Sequence, residues 1–157
     1  MLESSLVYIV ARTFPESLIL VLSGMILLDG EISKTKVIKD GILLGIIIGF
    51  IRKLPISFGV HSILSMIALV SILFKNSEKN IIKSMISTGL VWLSLALSEG
   101  IYILIATSIL NINLESLVDN SSLEGALLTL PSLLIMFLIV MVLKYIKDNI
   151  LKFKIRG

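Results

Sequence analysis

Two long apolar runs of this sequence are separated by one short polar stretch, Arg52-Lys53-Leu54-Pro55-Ile56-Ser57-Phe58-Gly59-Val60-His61. The stretch contains two cations, a proline, a glycine and the single histidine of the chain. Because Pro55 disfavours helical geometry at the residue before it, we expect the chain to reverse direction here, near a membrane surface. The stretch therefore predicts a hinge between two helices, and the apolar runs on either side of it decide the class of the protein.

Composition places the chain among membrane proteins. Its 157 residues are 56% hydrophobic and only 16% charged, whereas soluble domains carry about 25% charged residues. The apolar residues are concentrated in long runs, which is typical of membrane-spanning helices. The net charge of +3 is spread over loops and tail, which fits the distribution of cations in membrane proteins and does not indicate a nucleic-acid partner. The sequence therefore predicts an all-α, polytopic helical bundle that crosses the cell membrane several times.

The predicted topology has about five transmembrane helices. Positively charged loops favour the cytoplasmic side. A topology with the N-terminus outside and the C-terminus inside places the three most basic segments there, namely 34–39, 75–83 and 144–156. In this topology residues 1–157 form a single membrane domain, with a basic cytoplasmic tail at 146–157. The fourth apolar stretch can be one tilted helix or two short ones broken at Glu99-Gly100, and only the single crossing keeps the tail inside. The predicted spans are Ser5 to Leu28, Val37 to Leu54, Ile56 to Phe74, Ile81 to Leu110 and Leu123 to Tyr145.

Three glycines in the second span predict close helix packing. Gly41, Gly45 and Gly49 recur every four residues and therefore lie on one side of a helix. Small residues at this spacing allow another backbone to approach closely. The partner can be another helix of the same chain or a second copy in a homodimer.

Ionisable residues gather in the outer half of the predicted bundle. Arg12 and Glu16 are four residues apart in the first span and can pair on one helical face. Charged groups inside a membrane cost several kcal/mol unless they are paired or hydrated, and are therefore candidates for function. The candidate ligand-binding residues are Arg12, Glu16, Arg52, Lys53, Ser57, His61 and Glu99.

This cluster has three interpretations. It can form an outward-facing pocket, whose cationic edge at Arg52 and Lys53 would favour an anionic group such as a peptide carboxylate or a lipid phosphate. It can consist of satisfied pairs, Arg12 with Glu16 and His61 with Glu99, that only fix helix packing. It can also handle protons or ions.

The sequence gives no indication of an enzyme, a cofactor or a metal site. One histidine and no cysteine cannot supply a zinc site. The chain contains no nucleophile elbow, no HExxH motif and no P-loop. We therefore expect no catalytic residues.

The hinge sequence, together with Arg-Thr-Phe-Pro-Glu-Ser at residues 12–17, resembles the N-terminal membrane regions of certain clostridial sensor histidine kinases. These kinases carry a GHKL-type ATPase and are loosely similar to the accessory-gene-regulator type that senses peptides. The resemblance implies a two-component-like sensor region of a Gram-positive bacterium, without the kinase part. It also implies an extracellular signal and a cytoplasmic kinase or other signalling partner.

The sequence thus predicts a sensory or regulatory membrane module that binds a small or peptide ligand from outside. Its expected partners are membrane lipid, an extracellular peptide or small anionic ligand, and a signalling protein at the basic tail. One alternative is the substrate-binding subunit of a nutrient transporter, although the first span lacks the alanine-rich coupling face of such subunits. Another alternative is a structural membrane oligomer built on the glycines of the second span.

Overall fold

The computed structural model describes residues 9–29, 32–77, 79–112 and 123–156, with side chains at all of these except 9, 58, 123 and 151–156. The predicted start of the first span at Ser5 and the acidic residues Glu115 and Asp119 lie outside this described part. Within it, a π-helical turn and six helices form the fold, and no strand is present. The elements are the turn Ile9–Thr13, α1 (Phe14–Leu27), α2 (Lys34–Arg52), α3 (Phe58–Asn76), α4 (Ile81–Ser108), α5 (Leu123–Thr129) and α6 (Pro131–Arg156). The all-α helical bundle predicted from the sequence is confirmed.

Contacts between helix ends show that α1, α2 and α3 run in alternating directions. Arg52, at the end of α2, hydrogen-bonds Thr13 at the start of α1. At the opposite side Asn76, at the end of α3, donates to Asp40 near the start of α2 over 2.9 Å. We name the side with Arg52 and Thr13 the Arg52 end. We name the opposite side, with Asn76 and Asp40, the Asp29 end, since Asp29 follows the end of α1 there. Of the 14 lysines and arginines, all except Arg12, Arg52 and Lys53 belong to segments at the Asp29 end. The predicted topology places this end in the cytoplasm.

Four apolar segments have the length and composition of membrane-crossing helices: Val10–Leu27, Gly59–Asn76, Ile81–Ser108 and Glu124–Ile150. They make the chain a multi-pass membrane protein. The fourth predicted span is a single helix, since α4 passes through Glu99-Gly100 without interruption. The last crossing differs from the sequence prediction in two ways. It is divided at Leu130, and its second part stays helical through residues 146–156, whereas the predicted span ended at Tyr145.

Helix α2 is not among those four segments, because Lys34, Lys36, Lys39 and Asp40 charge its first turns. It nevertheless lies along α1 from one end of the bundle to the other, and its outward face is apolar. The exposed residues of that face are Ile38, Ile42, Leu43, Ile46 and Phe50. They extend over about 18 Å at the rise of an α-helix. This geometry supports the prediction that α2 also crosses the membrane, which together with the four segments above makes five crossings.

Helix α1 is the centre of the bundle. Leu20 and Val21 are fully buried and belong to the same core cluster as Leu44 of α2, Leu73 of α3 and Met136 of α6. A helix surrounded on all sides has to be apolar or carry small residues around its whole circumference. Gly24 illustrates this requirement, because a Cβ atom at that position would lie 2.6 Å from a methyl carbon of Leu73.

Ion pairs join α1 and α6 at the Asp29 end. Asp29 follows α1 in a left-handed conformation (φ 58°) and pairs with both Lys144 and Lys147. Lys147 also donates to the carbonyl of Leu27 over 2.7 Å. A cation is favourable here because the last carbonyls of a helix lack intrahelical donors and carry partial negative charge.

Candidate functional site

Four charged side chains near the Arg52 end form one continuous series of ion pairs, which we call the ionic chain. Glu99 Oε1 lies 2.9 Å from Arg12 Nη2. Arg12 Nε lies 3.7 Å from Glu16 Oε2. The same Glu16 oxygen lies 3.1 Å from Arg52 Nη2. The ionic chain therefore alternates in sign, has no formal net charge and joins α4, the π-helical turn, α1 and α2.

The middle of the ionic chain is buried and its two ends reach the surface of the bundle. Only 4% of the Arg12 side chain and 6% of the Glu16 side chain are exposed. The exposed fraction rises to 26% for Arg52 and 46% for Glu99. An arginine and a glutamate removed from water need close counter-charges, since an unpaired buried charge costs several kcal/mol. The pairing of Arg12 and Glu16 with each other and with Glu99 and Arg52 meets that need.

The break before α6 supplies a further partner for Arg12. In an α-helix the N–H of residue 131 would bond to the carbonyl of residue 127, and Pro131 has no N–H. The chain instead makes tighter turns, in which Leu130 bonds to Leu127 and Leu133 to Leu130. The two carbonyls in between accept hydrogen bonds from side chains. Arg12 Nη1 donates to the carbonyl of Thr129, and the Tyr102 hydroxyl donates to the carbonyl of Leu128.

An irregularity at the start of the described first crossing lies at Arg12 itself. The π-helical turn Ile9–Thr13 ends directly before α1, whose second residue is Pro15. Single π-helical turns occur frequently at functional sites. The π-helical turn and the break before Pro131 therefore meet at one guanidinium group, and Ser132, at the start of α6, also lies 3.4 Å from it.

Arg52 closes the other end of the ionic chain. Its Nη1 donates to Thr13 Oγ1 over 3.0 Å, while its Nη2 pairs with Glu16. The last residue of α2 is thus turned back onto the first crossing. The cationic edge predicted from Arg52 and Lys53 is consequently divided, since the Arg52 guanidinium is engaged inside the bundle and Lys53 is exposed.

The structure does not bring all predicted site residues together. Arg12, Glu16, Arg52 and Glu99 meet, whereas Lys53, Ser57 and His61 form no ion pair or side-chain hydrogen bond with them. Ser57 is exposed; His61 is half-buried, and its Nδ1 atom has no hydrogen-bond partner among the described residues. The pair of His61 with Glu99 considered from the sequence is not formed; the described side-chain partner of Glu99 is Arg12.

The glycines of α2 pack within the chain. A Cβ atom at Gly41 would lie 2.5 Å from a methyl carbon of Leu18, and one at Gly45 would lie 2.8 Å from Ser17 Oγ. Gly49 is also buried. Helix α1 therefore occupies the side of α2 where a second copy would have to approach Gly41 and Gly45.

Sequence reasoning missed Thr13, Tyr102, Thr129 and Ser132. The available signal was Pro131, which stands inside the last apolar run and predicts freed carbonyl groups. Which side chains reach those carbonyls depends on the packing of distant segments. In the described part of the chain, no group of three His, Asp or Glu side chains could hold a metal ion.

No protein-family model, curated protein or solved structure matches the chain. The function of the protein is therefore inferred from the ionic chain and from the helices that carry these four side chains.

Proposed function

We propose that the protein is a membrane-embedded sensory or regulatory module, in which the ionic chain forms an outward-facing polar site for a small or peptide ligand. The observation that carries this proposal is the arrangement of the ionic chain, which is buried at Arg12 and Glu16 and accessible at Glu99. Ionisable residues at membrane depth are expensive and mark functional sites by default. A broken helix at that depth is tolerated where it is buried in protein or lines a water-filled cavity.

The ionic chain is suited to regulation because Arg12 has several competing partners. Its guanidinium contacts Glu99, Glu16 and the carbonyl of Thr129, which belong to different elements. A ligand that binds better to one arrangement of these contacts than to another would shift the balance between two packings of the bundle. Helix α6 would carry that change to the Asp29 end, where a signalling partner such as a kinase could detect it.

Cysteine labelling on α4 tests whether water reaches the ionic chain. The chain has no native cysteine, so single cysteines can replace Ala96 and Ile103, which lie one helical turn to either side of Glu99. Matched controls at Leu97 and Ile101 have similar depth but lie on the other side of α4, and all four positions are exposed. Intact cells would be treated with a membrane-impermeant thiol reagent.

We expect labelling at positions 96 and 103 and none at positions 97 and 101, because the control side faces lipid. Absence of labelling at 96 and 103 would contradict the proposal, since the ionic chain would then be closed to the outside. Equal labelling at all four positions would contradict it as well, because α4 would then not be embedded in the membrane.

A further inference from the structure

We propose that the outward-facing site recognises a primary ammonium group, which binds the carboxylate of Glu99. This inference rests on the proposed function and names the chemical class of its ligand. It reverses the expectation from the sequence, where the cations at positions 52 and 53 suggested an anionic ligand. The most exposed member of the ionic chain is an acid, Glu99, and both arginines are less exposed than it is.

The contacts of Glu99 leave part of its carboxylate available. Oε1 accepts from Arg12 Nη2, and no other side chain in the described part of the protein bonds to Glu99. An ionised carboxylate has two oxygens and about four acceptor positions. With 46% of its side chain exposed, Glu99 can accept further hydrogen bonds from a donor that approaches from outside the bundle.

The depth of Glu99 makes an unpartnered carboxylate oxygen costly. Nine residues separate it from the end of α4 at Ser108, which corresponds to about 14 Å along the helix. At such a depth neighbouring hydrocarbon cannot solvate a carboxylate, so its remaining acceptor positions need water or a donor group. There is open space beside it, since a Cβ atom at Gly100 would have no neighbour within 4 Å.

The arginines are poorly placed to attract an anion. Arg12 is 4% exposed and lies between two carboxylates. Arg52 bonds to Glu16 and Thr13. An anionic ligand would have to displace a carboxylate already in place, whereas an ammonium group would add to the ionic chain beyond Glu99 and continue its alternation of sign. A peptide N-terminus, a lysine side chain or an aminolipid headgroup can supply such a group.

The first experiment measures the charge preference of the site with two thiol reagents of opposite charge. The cysteine at position 103 lies one turn from Glu99, about 5–6 Å between Cβ atoms. We expect a trimethylammonium-bearing methanethiosulfonate to react faster than a sulfonate-bearing one. The ratio of the trimethylammonium rate to the sulfonate rate should be at least about tenfold higher in the protein with Glu99 than in the same cysteine variant that also carries Glu99→Gln. An unchanged ratio, or a preference for the sulfonate reagent, would overturn the proposal.

The second experiment keeps Glu99 intact, so it remains decisive if Glu99→Gln fails to fold. The protein with Ile103→Cys would be placed in phosphatidylcholine nanodiscs and labelled with N-ethylmaleimide, a neutral reagent. Propylammonium should slow the labelling severalfold, whereas propanol and acetate should not. Nanodiscs that also contain phosphatidylethanolamine distinguish the source, since protection that appears only in them identifies a lipid headgroup as the ligand.

The two proposals fail in different ways. If position 103 in intact cells resists all impermeant reagents, the site is closed and the proposed function is wrong. If it is labelled but neither propylammonium nor phosphatidylethanolamine protects it, the site is open and only the ammonium ligand is wrong. Protection by acetate would show that the site binds anions and would likewise overturn the ammonium ligand.

Discussion

Arg12 donates to the carbonyl of Thr129, the residue with which α5 ends. The two residues are 117 positions apart, and the contact joins the π-helical turn at the start of the described first crossing to the break in the last crossing. Because the same guanidinium pairs with Glu99 and Glu16, a single side chain links backbone geometry to the ionic chain. Removing it should therefore have consequences well beyond one lost ion pair.

Replacement of Arg12 by Gln is expected to be the most damaging single change in the ionic chain. It leaves the buried carboxylate of Glu16 with Arg52 alone and leaves Glu99 without its described partner. Breaking a buried pair by removing one member costs about 3–5 kcal/mol. Denaturant unfolding in detergent, followed by the fluorescence of the single tryptophan, Trp92, measures the loss.

The matched control is Lys53→Gln, which removes a cation from an exposed position in the turn after α2. Surface changes of this kind lie within about 0.5 kcal/mol. Equal effects of the two substitutions would contradict the central position of Arg12.

Glu16 and Arg52 are expected to be energetically coupled. Their side chains lie 3.1 Å apart, and Glu16 is buried. A double-mutant cycle with Glu16→Gln and Arg52→Gln should give a coupling energy of about 1–3 kcal/mol. The same cycle with Lys53 in place of Arg52 should give a value near zero, and a similar value in both cycles would indicate a general charge effect rather than this contact.

Alanine substitution should distinguish packed from open glycines. At Gly45 the new Cβ would lie 2.8 Å from Ser17 Oγ and 3.1 Å from the ring of Phe14. We expect Gly45→Ala to destabilise the protein by about 1–3 kcal/mol, because either Ser17 Oγ has to leave its hydrogen bond to the carbonyl of Phe14 or α1 and α2 have to separate. Gly89→Ala in α4 meets no atom within 4 Å and should be neutral or stabilising by up to about 1 kcal/mol, because alanine favours helix.

A larger substitution at Gly45 tests the structural-oligomer alternative. If Gly45→Leu separates a folded dimer into folded monomers, as judged by size-exclusion chromatography with light scattering, the glycines form a seam between copies. Loss of folded protein at every oligomeric state is the outcome expected from the packing of Gly45 against α1.

Single cysteines at Lys36 and Lys53 test the orientation and the crossing of α2 together. Both positions are exposed and lie at opposite ends of that helix. With the N-terminus outside, an impermeant thiol reagent should label position 53 in intact cells and position 36 only after the membrane is opened. Labelling of both from outside would show that α2 does not cross, and the reversed pattern would invert the topology.

The sequence by itself determined the membrane class, the approximate helices and the charged candidate site residues inside the apolar runs. This was possible because long apolar runs can satisfy their backbone groups only as helices in lipid, whatever the rest of the chain does. The hinge at Pro55 likewise follows from local sterics, and it lies between α2 and α3 as predicted. Arg12, Glu16, Arg52 and Glu99 were recognisable because charges inside apolar runs are rare.

Helical spacing already indicated the pair of Arg12 with Glu16, but only the tertiary structure decided the other pairs of the ionic chain. Helical spacing limits Arg12 to neighbours three or four residues away on its own helix, but its shortest ion pair is with Glu99, 87 positions later. Whether Glu99 meets Arg12 or His61 depends on how α4 is rotated and displaced against the first crossing. Ser87 of α4 contributes to that arrangement, because it donates to the carbonyl of Gly24 in α1, 63 positions earlier, and no local sequence pattern contains this information.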